Sequence, residues 1–148
     1  MIEVMTQRAD DIGWTPDDSQ FDAWAQAALV GHRKSAEISL RLVDEAEGLE
    51  LNKMYRGKEY ATNVLSFPAD LPEELNLPLL GDIVICVPVA KKESQEQNKS
   101  LSNHWAHLFI HGVYHLIGMD HIDDDEAEQM EAAEVKALSQ LSVENPYV

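Results

Sequence analysis

Apolar positions along the chain switch between a period of two and a period near 3.6, and each switch marks an element. Ile2 to Thr6 and Glu37 to Val43 read as strands, the second setting Ile38, Leu40 and Leu42 against Ser39 and Arg41. Between them, Thr15 as cap, Pro16 at the opening and Asp18 predict a helix with Phe21, Trp24, Ala25, Ala28 and Leu29 on one face. Asp44, followed three residues later by Glu47, predicts a second helix that ends near Tyr55 and leaves Arg56 on a loop. Val64 to Phe67 and Ile83 to Val87 read as two further strands, on either side of the proline-containing segment from Pro68 to Leu80. A short polar helix is expected from Pro88 to Asn98, and an apolar one begins after Ser102. Asp123 with Glu126 repeats the capping signal for a last helix carrying Ala127, Met130, Val135 and Leu138. Four strands and about five helices in this order predict an α+β fold, a mixed sheet packed with helices and the long apolar helix central. The 148 residues are 45% hydrophobic and show no repeat or linker, so residues 1–148 read as a single domain.

The apolar helix also carries the chemistry. Residues 111–121 read HGVYHLIGMDH. If this stretch is helical, His111 and His115 stand one turn apart on one face, and both imidazoles reach a common point. Gly118 is free to end the helix in the left-handed conformation, which lets the chain turn and bring His121 up as a third ligand. Three protein ligands leave the fourth position of a tetrahedral ion to water, as in catalytic zinc sites; closed structural sites usually use thiolates, and this chain has one cysteine. Imidazole ligands suit one zinc ion per chain, although nickel, copper and iron also accept them. HxxxHxxGxxH is the spacing of the metzincin proteases, but Gly112 stands where those enzymes carry the glutamate that serves as general base. His107 falls on the same stripe and is expected to support the site or to pack, His104 to face solvent or substrate, and His32 has no assigned part.

At these residues the sequence resembles the YbeY family of bacterial metal-dependent endoribonucleases. The family signature HGxLHLxGYDH departs here only at Tyr114 and Met119. A second block from Asn52 to Pro68 is similar to the family pattern N-x-x-Y-R-G-x-x-x-x-T-[DN]-V-L-S-F-P, and Leu80 to Ile85 to its L-G-D-I-x-I strand. The resemblance implies that His111, His115 and His121 bind zinc and that Arg56 is the catalytic arginine. It further implies cleavage of single-stranded RNA, 3′-end maturation of 16S ribosomal RNA and ribosome quality control, with the small ribosomal subunit or its proteins as partners. The general base is unassigned; Asp120 either orients His121 or caps the turn. Two other readings stay open, a zinc metalloprotease and a non-catalytic, metal-stabilised binding module on the ribosome.

Charge complicates an RNA substrate, because the net charge is −16 and phosphate binding usually leaves a basic footprint. Nine of the eleven basic residues fall between positions 33 and 99, whereas the chain after His121 is acidic with only Lys136 against it. RNA is therefore expected to bind locally, through Arg56, Lys53, Lys58 and the ion, and the acidic run to be a solvated helix face, the alternative being a docking surface for a basic partner such as a ribosomal protein. The N-terminal stretch has no apolar run of signal-peptide length and no segment approaches membrane-spanning length, so the expected compartment is the cytoplasm, with neither membrane nor DNA as partner. Cys86, in a strand-like apolar run, is expected to be buried and unpaired.

Overall fold

The computed structural model of the chain describes residues 1–69, 77–119 and 123–147. Its elements run β1 (Ile2–Arg8), α1 (Asp18–Leu29), β2 (Ala36–Val43), α2 (Glu45–Arg56), β3 (Val64–Pro68), β4 (Leu79–Cys86), α3 (Val87–Glu96), α4 (Leu101–Leu116) and α5 (Asp124–Gln140). The strands form one sheet in the order β1-β2-β4-β3, with β1, β2 and β4 parallel and β3 antiparallel to β4. This is the mixed α+β arrangement that the alternation of periods predicts.

Residue parity along the strands sorts the core into two layers, because successive side chains leave a strand on opposite faces. Ile38, Leu40 and Leu42 of β2 join Ile83 and Ile85 of β4 on one face, under α1 and α4, and α5 packs on those two helices. Phe21 and Trp24 of α1 pack edge-on and tilted against Trp105 and Phe109 of α4 in that layer, with centroids 5.3 to 6.4 Å apart. Val43, Val84 and Cys86 point the other way and meet Leu65, with Leu51 of α2 and Val89 of α3 covering them. Cys86 is buried and free, and burial pushes its thiol pKa up, so it packs as a small apolar group.

Four of the five described helix starts follow side chains able to accept from exposed backbone donors, and α3 instead opens with Pro88 in its first turn. Asp44 accepts from the Glu47 amide and Asp123 from the Glu126 amide, as their spacing predicts. At α1 the cap is Asp17 rather than Thr15, because Gln20 reciprocates: Asp17 accepts from the Gln20 amide while the Gln20 side chain accepts from the Asp17 amide. α4 starts two residues earlier than expected, since Ser100 rather than Ser102 accepts from the Asn103 amide. Arg56 is the last residue of α2 rather than a loop residue, and Gly57 closes that helix at φ +69°.

β4 begins at Leu79, well before Ile83, and Val87 opens α3 instead of closing the strand. The extra length pairs Gly81 with Pro68 of β3 and Ile38 of β2, at a register shift. Gly81 sits at φ +145°, and a Cβ there would lie 2.3 Å from the Phe67 carbonyl oxygen. Gly81→Ala is therefore expected to cost at least about 2 kcal/mol from backbone strain and overlap. Urea unfolding measures this, and an unchanged midpoint would contradict the strained register at that position.

Candidate functional site

Between residues 104 and 116, α4 is buried at every position except His107, His111 and His115. These three recur every four residues, so a helix packed on its other sides leaves a single histidine stripe partly open. The Nε2 atoms of His111 and His115 are 3.0 Å apart, with ring centroids at 4.5 Å and planes at 83°. A tetrahedral ion bound at about 2.0–2.1 Å by two imidazoles needs their nitrogens roughly 3.3 Å apart. The pair fits that edge with an adjustment of a few tenths of an ångström. α4 then ends as the pair requires. Ile117 caps it, Gly118 takes φ +97°, and its amide donates to the His115 carbonyl while the Met119 amide donates to the Tyr114 carbonyl. The chain thus turns sharply after His115. His121, the expected third ligand, and Asp120 lie outside the described residues.

The side of the His111 ring away from His115 faces Glu134 of α5, whose Oε2 is 3.2 Å from His111 Nδ1. The other carboxylate oxygen is 2.7 Å from His107 Nε2 and accepts from the Tyr147 hydroxyl at 2.7 Å. Burial pushes the Glu134 pKa up, but hydrogen bonds from His107 and His111, the His111 charge and the Tyr147 hydroxyl outweigh it and hold the pKa down to about 2. An ionised carboxylate can only accept, so Glu134 faces a proton on His111 Nδ1, and the Nε2 atom of that ring is the one turned toward His115.

His111 and His115 open into a cleft of about 520 Å³ that Arg56 and Lys58 also line. Arg56 reaches it from the end of α2, and the loop that follows is held by buried Asn52, whose side-chain amide donates to the Tyr60 carbonyl at 2.7 Å. Among the described residues, none that lines this cleft is acidic, in a chain of net charge −16. Lys53, expected to join Arg56, is exposed elsewhere on α2 and does not line it. Gly112 faces the sheet: a Cβ there would lie 3.2 Å from Ser66 Oγ and 3.3 Å from Ile83. A glutamate at that position would have to displace β3 and β4, so the spacing shared with the proteases does not extend to their base.

His104 is the clear correction among the histidines. It is 3% exposed rather than facing solvent or substrate, and its Nε2 lies 3.0 Å from Glu93 of α3. Asn63, which lines the cleft, donates through Nδ2 to both Glu93 oxygens at 3.1 and 3.2 Å. Glu93 thereby ties a cleft residue to the buried side of α4. Sequence reasoning gave no part to Glu93, Glu134 or Tyr147. The signal for Glu134 was its spacing of four, three and four residues from Met130, Ala137 and Leu138, which places it on the buried face of α5.

A family model described as Endoribonuclease YbeY matches residues 6–142. A protein of that name from Pseudomonas putida strain W619 is 59% identical over 148 residues, covering 99% of this chain and 94% of its own length. Its namesake from Pseudomonas syringae pv. tomato is 52% identical, with coverages of 99% and 89%. The solution structure of TM1509 from Thermotoga maritima superposes with a TM-score of 0.60 over 96% of this chain and 92% of that one; at 21% identity it speaks for the fold alone.

Burial raises the Glu93 pKa, but the hydrogen bonds from His104 and Asn63 outweigh it and leave the pKa lowered. A lowered carboxylate pKa contributes stability that is present above the unfolded value of about 4.3 and is lost as pH falls through the folded one. Glu93→Gln should therefore flatten the acid limb of the stability curve below about pH 4.3. Urea midpoints measured across that limb check it, and parallel curves for the two proteins would contradict the assignment.

Proposed function

Because the chain belongs to the YbeY family of endoribonucleases, we propose that it is a metal-dependent endoribonuclease that cuts single-stranded RNA, with zinc held by His111, His115 and His121. In this reading its substrate is a precursor of 16S ribosomal RNA, cut during 3′-end maturation and ribosome quality control in the cytoplasm, beside the small ribosomal subunit or its proteins. No helix among the described residues is long and apolar enough to cross a membrane. The observation that carries the proposal is the meeting, in one cleft with no acidic lining among the described residues, of two converging imidazoles and Arg56.

A bound ion of this kind supplies a Lewis acid for a phosphoryl oxygen or a water whose pKa is lowered toward neutrality. The remaining work falls to side chains. His111 and His115 would hold the ion through Nε2, and Glu134, 3.2 Å from His111 Nδ1, would keep that ring's proton on the side away from the cleft. Arg56 is a permanent cation with a planar fork of donors, suited to the negative charge that grows on phosphoryl oxygens in the transition state. Lys58 adds a second positive charge to the same cleft and favours the RNA backbone over neutral ligands. The protease reading lacks its base at Gly112.

Incubating the pure protein with labelled single-stranded precursor RNA tests the proposal. Cleavage should require metal, stop with chelator and be lost in His115→Ala. Arg56→Lys keeps the charge but not the fork, so its cleavage rate should fall about 10²-fold or more, the typical cost of removing one transition-state donor. Arg56 is exposed at a helix end, and its replacement should leave folding intact. Cleavage that survives chelation, or a native rate in Arg56→Lys, would overturn the assignment.

A further inference from the structure

Glu134 is a charge with little solvent: its side chain is 1% exposed on a helix whose other described acidic residues are exposed. A buried carboxylate is costly unless donors surround it. Here the donors lead straight to the metal site. Oε2 meets His111 Nδ1, and Oε1 meets His107 Nε2 and the Tyr147 hydroxyl, which itself lies 3.1 Å from His107 Nε2. Tyr147 comes from the segment after α5, which folds back over the helices and is pinned where Lys99 Nζ donates to the Pro146 carbonyl at 3.2 Å.

We propose that Glu134 is a positioning residue for the metal site, holding the proton of His111 on Nδ1 and fixing that ring with Nε2 toward His115, and that Tyr147 in turn holds Glu134. The inference rests on the metal reading above and adds to it a carboxylate and a phenol, neither of which belongs to its proposed ligand set. A carboxylate behind an imidazole makes the ring a stronger donor to a cation, and loss of such a partner typically weakens metal binding about 10- to 100-fold. His107 Nε2 approaches the same carboxylate oxygen as Tyr147, at 2.7 Å, and helps to hold it in place.

The test measures zinc affinity by chelator competition on the full chain, for the native protein, Glu134→Gln, Tyr147→Phe and His115→Ala. Glu134→Gln should bind zinc about 10- to 100-fold more weakly while folded, and Tyr147→Phe, which deletes one exposed-side hydroxyl, a few-fold more weakly. Long-range nitrogen–proton spectra of the zinc-free native protein should show His111 protonated at Nδ1. Native affinity in both variants, or His111 protonated at Nε2 alone, overturns the positioning role. Should Glu134→Gln fail to fold, Tyr147→Phe and the tautomer decide. Failure of the metal reading itself looks different: His115→Ala then binds zinc as the native chain does, or the native chain does not compete with chelator.

Discussion

α4 must be buried almost all round and yet leave one line of side chains open, and the site depends on how it meets both demands. Trp105, Phe109 and Ile110 anchor its inner face in the main core with no exposure. Gly112 lets the helix approach β3 and β4 so closely that Ser66 Oγ donates to its carbonyl at 3.3 Å. With the helix fixed on these sides, His111 and His115 share its one open stripe, and a one-turn spacing becomes a pair of nitrogens 3.0 Å apart. Pre-organisation of this kind lowers the cost of gathering ligands when a cation binds.

Charge is distributed around that helix rather than averaged over the molecule. The chain carries 27 acidic and 11 basic residues, yet the described lining of the cleft holds Arg56 and Lys58 and no carboxylate. The acidic run of α5 faces solvent, which suits a chain kept from indiscriminate binding to nucleic acid. Glu134 is its exception. It turns inward, and its partners are His107, His111 and Tyr147.

Much of the fold was legible because its signals are local. The caps at Asp44 and Asp123 depend on a side chain and an amide three residues apart, and the strand alternation of β2 needs only the neighbouring pleat. Where two local signals competed, the reciprocated one won, as Asp17 with Gln20 did over Thr15. The start of β4 was hidden because it depends on pairing with β2 and β3, strands distant in sequence, across a glycine at φ +145°. At the site, the His111–His115 pair was legible from its spacing, and Arg56 from the resemblance of its block. Glu134 was not, since a carboxylate within an acidic helix reads as solvated, and its partners come from α4 and from Tyr147. His104 was misread for the same reason: Glu93, which makes its burial tolerable, lies on another helix.

The central claim is that His111 and His115 form two corners of an open metal site beside Arg56. Diffraction from crystals grown with zinc, collected across the zinc absorption edge, tests it most directly. The account requires an anomalous peak within bonding distance of both Nε2 atoms, with a coordination position facing the cleft. A peak elsewhere, or an ion closed off by four protein ligands, would contradict it.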